Sequence, residues 1–411
     1  MTEAGPGDFG TDGKAPKIAL VVGEESGDFL GAALMASLKA KLPGETQFCG
    51  VAGARMMAEG MTSLFDIADT SVMGLTAVLK RLPLIIRRVH ETVDFVVSEN
   101  PDVLIIIDSP DFTHAVAKRV RKRAPHIPIV GYVSPSVWAW RSGRARKMKA
   151  YVDELLALLP FEPGVHARLG GPRTHYVGHP LIERLDDLRP QVGERKDLSE
   201  RKPVLLVLPG SRGSEIERLL PVFGETVAQI AAARPEVDFV LPAVAHLAER
   251  IEAQTQSWPV RPTIVRGEEA KQAAFRSANA ALAASGTVTL QLAISGVPMV
   301  VAYKVDWFMR RIKDLNKVFP ISSLTSFVLP NIILGRKLIP EFLDEEVTSE
   351  RLAGETLKLL NDSPERRTQV SGLSELDKAM RLPDGKSQSE AAADVVLEVL
   401  GRDRAGQTYS S

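Results

Sequence analysis

The chain has 411 residues, of which 45% are hydrophobic and 25% charged, and its 51 basic side chains balance 51 acidic ones. This composition excludes extensive disorder, and the length predicts two domains of about 200 residues each. The one cysteine, Cys49, excludes a disulfide framework or a cysteine zinc site and indicates a reducing compartment.

Residues 1–16 are rich in glycine, proline and acidic side chains and lack the basic and apolar regions of a signal peptide, so we interpret them as a disordered lead-in. The longest apolar runs, such as Val103–Ile107, have the length of strands and are too short to cross a bilayer. We therefore expect a cytoplasmic protein. Aromatic residues make up only 6% of the chain and no nucleic-acid motif occurs, so we expect no nucleic-acid partner.

Apolar runs of strand length alternate with amphipathic stretches along the chain, which predicts an α/β protein with parallel sheets covered by helices on both faces. Six predicted strands lie in the first half: Ile18–Val22, Gln47–Val51, Val103–Ile107, Ile129–Val133, Glu154–Leu158 and His175–Val177. Five lie in the second half: Val204–Leu208, Phe239–Leu241, Thr263–Val265, Ala280–Ala283 and Met299–Ala302. The predicted helices between them include Phe29–Leu42, Leu84–Glu99 and Glu215–Ala233.

The loop after the first predicted strand, Gly23–Asp28, leads into a helix and carries three carboxylates. Such a loop repels phosphate and suits a hydroxyl group or a proton. Its candidate residues are Glu24 as a catalytic carboxylate and Ser26 and Asp28 as contacts of an acceptor substrate.

The segment from Met73 to Arg88 mixes apolar side chains with four cations, a composition that suits an anionic membrane surface or an amphiphilic ligand. A core helix whose charges face water is the alternative interpretation. Two further basic clusters are Lys118–Arg123 and Arg141–Lys149, and a solvated helix face explains the first equally well. The membrane-contact candidates are Leu79, Lys80, Arg81, Leu82, Ile85, Arg87 and Arg88.

Two carboxylates, Asp108 and Asp111, follow the buried strand that ends at Ile107. Ligands of open parallel sheets bind beyond the carboxyl ends of the strands, which makes both aspartates candidates. Asp108 lies nearer the strand end and is the stronger catalytic candidate, whereas a helix cap explains Asp111 equally well.

The run Tyr132–Arg141 places two tryptophans, two serines and an arginine directly after a strand. Core packing explains one of the tryptophans, and it explains both less easily. We therefore predict that this run shapes a substrate pocket, with the candidate residues Ser134, Ser136, Trp138, Trp140 and Arg141.

The polar stretch Arg184–Lys202 contains no clear strand and is the best interdomain linker. We accordingly predict an N-terminal domain over 17–190 and a C-terminal domain over 191–370. Residues 371–411 are predicted to form helices and a tail that pack back on the N-terminal domain or on a partner subunit, and a homodimer is left open.

Two loops of the second half are predicted to bind phosphate. Pro209–Ser214 and Ser285–Thr287 each connect a short apolar strand to a helix, and their small residues allow close approach of a ligand to helix N–H groups. Arg212 adds a planar fork that suits a diphosphate. The histidines show no metal-ligand spacing and no two aspartates lie two residues apart, so we predict no metal site.

Eight segments resemble, in chain order, those of the lipid-A-disaccharide synthase family. They are GEESGD at 23–28, IDSPDF at 107–112, YVSPSVWAWR at 132–141, LPFE at 159–162, VGHP at 177–180, LPGSRGSE at 208–215, ASGT at 284–287 and LPN at 329–331. The resemblance covers roughly residues 17–345, and the length of YVSPSVWAWR makes it specific.

The resemblance implies the GT-B architecture, in which two Rossmann-like domains with parallel sheets face a central cleft, and it implies no metal or other cofactor. It also implies an inverting transfer of 2,3-diacylglucosamine from UDP onto 2,3-diacylglucosamine 1-phosphate, which yields a β-1,6-linked disaccharide and UDP. Because these substrates are acylated, the family works at the anionic cytoplasmic surface of the inner membrane.

Under this hypothesis a carboxylate of the N-terminal domain takes the proton of the acceptor's 6-hydroxyl. We predict Asp108 as this base, with Glu24 and Asp111 as alternatives. The predicted contacts of the UDP-sugar are Gly210, Ser211, Arg212, Gly213, Ser285, Gly286, Thr287, Gln291 and Asn331.

Two of these donor contacts rest on the resemblance. Gln291 stands where many family members have a glutamate, and its amide oxygen can still accept a ribose hydroxyl proton. Asn331, in the segment LPN, is assigned to the donor phosphates or sugar by resemblance only.

Two other functions compete with this interpretation. One is another GT-B transferase that acts on a UDP-sugar and a lipid-linked acceptor, such as the peptidoglycan N-acetylglucosaminyl transferase. The other is a non-catalytic amphiphile-binding protein, which would bind UDP or lipid without turnover and would not need the carboxylates.

Overall fold

The computed structural model describes residues 15–42, 44–71, 75–139, 141–195, 197–198, 202–304 and 326–407, and the side chains of 75–80 and 403–407 lie outside this description. The chain divides into two compact units. The first unit contains the residues up to His179 and those from Leu382 onward, and the second contains Pro180–Arg381.

Six strands form the sheet of the first unit: β1 Lys17–Val22, β2 Gln47–Val51, β3 Val103–Ile107, β4 Ile129–Tyr132, β5 Glu154–Ala157 and β6 Arg173–Tyr176. All pairings are parallel, in the order β2-β1-β3-β4-β5-β6. The central strands β1 and β3 are buried along nearly their whole length, which is why they read as continuous apolar runs.

The helices that cover this sheet are α1 Glu25–Lys41, α2 Ala54–Ala58, α3 Leu75–Glu99, α4 Pro110–Arg123, α5 Gly143–Met148 and α6 Glu162–Leu169, with a 3-10 turn at Ile67–Asp69. Leu34 of α1 packs on one face of the sheet. Val93 of α3 and Val116 of α4 pack on the other. Each helix therefore buries one apolar stripe against the strands.

The second unit begins with a 3-10 turn at Pro180–Arg184 and the short helix α7 Leu185–Leu188. Its sheet is parallel and has the order β12-β11-β10-β7-β8-β9. The strands are β7 Val204–Leu208, β8 Asp238–Ala243, β9 Thr263–Arg266, β10 Ala280–Ala284, β11 Met299–Tyr303 and β12 Glu341–Leu343.

The described helices of the second unit are α8 Gly213–Ala233, α9 Ala248–Thr255, α10 Glu268–Ser277, α11 Thr287–Ile294, α12 Leu329–Leu334, α13 Ser349–Leu359 and α14 Pro364–Met380, with 3-10 turns at Ala245–Leu247 and Asp344–Glu346. A last helix, α15 Gln388–Gln407, packs on α1 of the first unit. Ser389 of α15 accepts a hydrogen bond from Ser37 at 2.9 Å, and Asp394 pairs with Lys41.

The predicted α/β class with two parallel sheets is confirmed, and all eleven predicted strands overlap observed ones. The strand β12 was not predicted, because three residues that begin with a glutamate are too few to form a recognisable pattern. The helix α3 also begins earlier than Leu84, the predicted start, and contains Pro83 in its interior.

The structure divides the chain at residue 180, not at the predicted residue 190. The segment that follows His179 contacts the second unit: Arg189 donates a hydrogen bond to the Ile294 carbonyl at 3.2 Å and forms an ion pair with Asp377. The second unit likewise continues beyond residue 370, to the end of α14, because Gln369 accepts a hydrogen bond from the backbone of Met299.

Candidate active site

Strand order reverses direction at one point in each sheet. In the first sheet β1 lies between β2 and β3, and in the second sheet β7 lies between β8 and β10. Open parallel sheets bind ligands at such a point, beyond the carboxyl ends of the strands. The loops after β1 and β3 contain Glu24 and Asp108, and those after β7 and β10 contain Arg212 and Ser285. The main candidates of each unit therefore lie at its predicted binding edge.

Asp108 is held in one orientation at the end of β3. The Ser26 hydroxyl donates to its Oδ2 at 2.6 Å, and the backbone N–H of Ser109 donates to its Oδ1 at 2.8 Å. Asp108 and Ser109 both have left-handed backbones, with φ of 52° and 43°. The side chain is half-buried, so the oriented carboxylate stays accessible.

Glu24 and Asp111 complete a cluster of three carboxylates. Burial and the negative charge of Asp108 raise the pKa of Glu24; a hydrogen bond with Ser109 opposes this rise, and the charge of Asp111 adds to it. The side chain of Asp111 is 97% exposed and accepts a hydrogen bond from Arg144 at 3.2 Å. The structure thus brings the three candidate bases into one electrostatic site.

Asp28 has a structural role and also lines a cavity of the first unit, so the acceptor contact stays a prediction. Its buried carboxylate accepts hydrogen bonds from the backbone N–H groups of Gly53, Arg55 and Met56 at 2.9, 2.9 and 3.1 Å. These groups lie at the start of α2, so Asp28 caps this helix from a distant part of the chain. Three hydrogen bonds of this carboxylate are thus made within the fold.

A cavity of about 990 Å³ adjoins the carboxylates in the first unit. It is lined on one side by Ser26 and Phe29 of α1, and on the other by Met57 and Ile67. Phe29 and Met57 are 40% and 47% exposed. The cavity therefore offers apolar contact next to the hydroxyl that orients Asp108.

The run after β4 folds onto helix α6. Ser134 is buried with its hydroxyl 2.9 Å from Nε2 of His166, and Trp138 donates to the Glu162 carboxylate at 3.3 Å. Val133 has a strained φ of 75°. Two polar side chains of α6, Glu162 and His166, therefore hold this run in place.

The remaining candidates of this run differ in exposure. Ser136 and Arg141 are exposed, and Arg141 has a left-handed φ of 55°. Trp140 lies outside the described residues.

Two further titratable groups near this run, Glu162 and His166, are not among the predicted site residues, although Glu162 ends the segment LPFE. Burial raises the pKa of Glu162 to about 7 and lowers that of His166 to about 4. The backbone N–H of Leu159 donates to the Glu162 carboxylate at 3.0 Å. The sequence shows only that Glu162 is a polar residue shortly after a strand, and this position does not reveal that its side chain is buried.

The predicted membrane segment divides into an exposed part and a core part. Leu82 and Ile86 of α3 are 43% and 48% exposed, and Arg87 is exposed. Arg81 is also exposed, although one of its nitrogens donates to the Ala68 carbonyl at 2.9 Å. Ile85 packs against the core.

Arg88 has a structural role rather than the predicted headgroup contact. Its guanidinium pairs with Asp69 and Glu91 at 2.6 Å and lies 4.5 Å from the centre of the Phe65 ring. The side chains of Leu79 and Lys80 lie outside the described residues. No helix in the described part of the chain is long and apolar enough to cross a membrane.

The loop after β7 is held by Glu215 of α8. The Glu215 carboxylate accepts hydrogen bonds from the backbone N–H of Ser211 at 3.0 Å and of Arg212 at 3.3 Å, and it pairs with the Arg212 side chain at 2.9 Å. Gly210 has a φ of 121°, and a Cβ there would lie 2.5 Å from Glu215. Two amides that the sequence assigned to phosphate therefore already bind an internal anion.

The Arg212 side chain remains 76% exposed, so most of its guanidinium is accessible to a ligand. Gly213 begins α8, whose first N–H groups have no acceptor within the helix. The Arg212 guanidinium and the first N–H groups of α8 are thus the parts of this loop that could still bind an anion.

The loop after β10 presents an exposed helix start. Gly286 and Thr287 are exposed at the beginning of α11, and Gln291 is half-buried one turn further on. The Ser285 hydroxyl donates to the Phe327 carbonyl at 2.8 Å, so it holds a neighbouring segment in place. Gly286 and Thr287 are the accessible part of this candidate phosphate site.

Asn331 has a structural role in place of the predicted donor contact. The side chain is 2% exposed. Its amide donates to the Ile339 carbonyl at 2.9 Å, and its oxygen accepts from the N–H groups of Leu338 and Ile339 at 3.0 and 2.8 Å. Every polar atom of this side chain is therefore used to hold the turn before β12.

Because Asp28 caps α2, we expect Asp28→Asn to lower the free energy of unfolding by about 1–3 kcal/mol, the cost of an unmatched buried polar group. Chemical denaturation would measure the loss. Asp66→Asn is the control, because Asp66 lines the cavity that Asp28 also lines, is exposed, and within the described part of the chain its side chain accepts a hydrogen bond only from Ala68. Unchanged stability with a raised acceptor KM would instead favour the acceptor contact.

Known proteins resemble this chain over most of its length. Residues 18–395 match the family model described as lipid-A-disaccharide synthetase. The lipid-A-disaccharide synthase of Nitrobacter winogradskyi is 50% identical over 393 residues, which cover 95% of this chain and 97% of that protein. The corresponding protein of Nitrobacter hamburgensis is 51% identical over 392 residues, with 94% and 96% covered.

Among solved structures, Acinetobacter baumannii MurG aligns with a TM-score of 0.52 at 14% identity, covering 93% of this chain and 99% of that one. At this identity the likeness concerns the fold alone, and it confirms the GT-B class. The resemblance drawn from the eight segments is likewise confirmed: the chain belongs to the lipid-A-disaccharide synthase family of glycosyltransferases.

Proposed function

We propose that the protein condenses UDP-2,3-diacylglucosamine with 2,3-diacylglucosamine 1-phosphate, with inversion, to the β-1,6-linked disaccharide 1-phosphate and UDP. Family membership supports a glycosyltransferase of lipid A biosynthesis, and the named substrates and the inverting step are our proposal. The observation that carries it is the oriented, accessible carboxylate of Asp108 at the binding edge of the first sheet.

Asp108 acts as the general base in this proposal. Its two hydrogen-bond donors fix the carboxylate, and a fixed base within reach of a hydroxyl is what proton abstraction requires. Ser26 is a positioning residue, because its hydroxyl donates to the base. Glu24 is the alternative base, since its raised pKa favours proton uptake.

The second unit holds the donor. The leaving UDP gains negative charge in the transition state, and preorganised donors aimed at that charge are usually the largest catalytic contribution. The exposed guanidinium of Arg212 and the starts of α8 and α11 supply these donors. The diphosphate must either bind beside Glu215 or replace its carboxylate at the Ser211 and Arg212 amides.

The exposed part of α3 is proposed to contact the membrane peripherally, at its cytoplasmic face. Leu82 and Ile86 provide apolar surface beside the cations Arg81 and Arg87. This combination is typical of helices that lie in an anionic interface. Contact there would let the enzyme take up acylated substrates.

The direct test is incubation of the protein with both acylated substrates, followed by measurement of UDP release and of the disaccharide product. UDP-N-acetylglucosamine with a lipid-linked acceptor serves as the comparison. Turnover of the second pair alone would favour the other class of GT-B transferase, and binding without any turnover would favour an amphiphile-binding protein.

We expect Asp108→Asn to lower kcat by about 10²–10⁴-fold while donor binding is retained, because an amide cannot take up the proton. The control is Asp111→Asn, which alters the exposed carboxylate of the same cluster. Stopped assays and UDP titration measure the two quantities. A normal kcat in Asp108→Asn would transfer the role of base to Glu24 or Asp111.

Arg212→Ala is expected to weaken UDP binding by about 1.5–3 kcal/mol, the range for a charge-assisted hydrogen bond. Arg212→Lys should restore only part of the loss, because lysine lacks the planar fork. Arg351→Ala is the matched control, since Arg351 also forms an exposed pair with a glutamate in the second unit. Calorimetric titration with UDP measures each affinity, and an unchanged value in Arg212→Ala would exclude the diphosphate contact.

We expect the double variant Arg81→Gln, Arg87→Gln to bind anionic vesicles more weakly by about 2 kcal/mol, at roughly 1 kcal/mol for each cation. Activity should fall more on vesicle-borne than on detergent-dispersed substrate. Arg119→Gln, Lys122→Gln is the control, because these cations are exposed on α4. Equal vesicle binding by both variants would leave only the core-helix interpretation of α3.

A further inference from the structure

A second cavity of the first unit lies where α4 meets α5 and has a volume of about 490 Å³. Its lining is dominated by cations, in contrast to the larger cavity next to α1. The lining residues are Lys118, Arg141, Gly143, Arg144, Lys147 and Tyr151.

Three cations of this cavity are weakly neutralised. Arg144 pairs with Asp111, whose side chain is 97% exposed. Among the described residues, Lys118 and Lys147 have no carboxylate within ion-pair distance. Partial burial and the charges of Arg144 and Lys147 lower the pKa of Lys118 below its ordinary value. An anion bound here would relieve this repulsion.

The buried side of the cavity is uncharged. Tyr151 is buried, and its hydroxyl lies 3.0 Å from Nδ1 of His114, which is also buried. Burial and the nearby cations lower the pKa of His114 to about 4, so it is neutral at pH 7. The Lys118 ammonium lies 5.1 Å from the centre of the Tyr151 ring. The cations therefore lie next to the buried ring and hydroxyl group of Tyr151.

One residue of the cavity, Arg144, contacts the carboxylate cluster. Asp111, His114 and Lys118 are three and four residues apart on α4 and thus share one face, along which the helix rises by about 10 Å. Arg144 contacts Asp111 at the near end. The carboxylate cluster and the cations of the cavity therefore meet at the pair of Asp111 and Arg144.

We propose that this cavity binds the 1-phosphate of the acceptor, a phosphate monoester. This inference rests on the proposed function and extends it to acceptor specificity. A monoester carries a charge of about −1.5 to −2 at pH 7 and three acceptor oxygens, which ammonium and guanidinium groups match. In a hexose, C1 and C5 are both bonded to the ring oxygen, so the 1-phosphate lies on the same side of the ring as the 6-hydroxyl. A 6-hydroxyl at the base therefore places the 1-phosphate near Arg144, which contacts Asp111 and lines the cavity with Lys118 and Lys147.

The test compares two acceptors, 2,3-diacylglucosamine 1-phosphate and the same lipid with a free 1-hydroxyl, in detergent without phospholipid. The readout is the ratio of their kcat/KM values, because effects on folding, donor binding or the base cancel in this ratio. The wild type should prefer the phosphate. In Lys118→Gln, Lys147→Gln the ratio should fall by at least about tenfold, the effect of one lost charge-assisted contact.

Two further variants make the test specific. Lys118→Arg, Lys147→Arg keeps both charges and should keep most of the preference. Lys122→Gln removes a cation one turn further along α4, outside the cavity lining, and should leave the ratio at its wild-type value. An unchanged ratio in the double glutamine variant would overturn the inference.

Binding of glucosamine 1-phosphate provides a readout without turnover. It should compete with the acceptor in the wild type and at least about tenfold more weakly in the double glutamine variant. If the cavity instead binds phospholipid headgroups, the variant should lose binding to phosphatidylglycerol vesicles and keep the acceptor ratio, which overturns the inference. Absence of turnover in the wild type would refute the proposed function itself. This result differs from an unchanged acceptor ratio, which would refute only the phosphate site.

Discussion

Parallel pairing is the constraint on which the site depends. All strands of a parallel sheet end at one edge, and the reversal of strand order beside β1 and beside β7 separates the neighbouring loops enough to admit a ligand. The loops of β1 and β3 nevertheless touch: a Cβ on Gly23 would lie 2.5 Å from the Ser109 hydroxyl. This close approach needs glycine and brings the carboxylate-bearing loops together.

The orientation of Asp108 is maintained against backbone strain. Two consecutive left-handed residues, Asp108 and Ser109, each cost of the order of 1–3 kcal/mol. Two hydrogen bonds stabilise this strained backbone. The Asp108 N–H donates to the Tyr132 carbonyl at 2.9 Å, and the Thr113 hydroxyl donates to the Asp108 carbonyl at 2.6 Å. Neighbouring elements thus fix a conformation that the isolated segment would avoid, as is typical of functional sites.

The apolar runs of the sequence were sufficient to predict both sheets and the edge at which Asp108 and Arg212 lie, because burial on both faces leaves a signature in every strand. They could not predict which polar atoms are already used. Asp28 caps a helix whose N-cap residue, Gly53, lies 25 residues further along the chain, and Asn331 holds the turn before β12. Such pairings depend on tertiary contacts that leave no periodic pattern.

The candidate sites of the two units differ in how their charges are arranged. In the first unit, like charges are crowded together: carboxylates around Asp108 and, beside them, cations around Lys118. In the second, Glu215 satisfies the loop that would otherwise attract phosphate. Crowded like charges raise the free energy of the unliganded site and are relieved when a counter-charge binds, whereas an internal ion pair lowers that free energy and must be rearranged. Under the proposed function, binding in the first unit would relieve this repulsion, and binding of the donor in the second would exchange one anion for another.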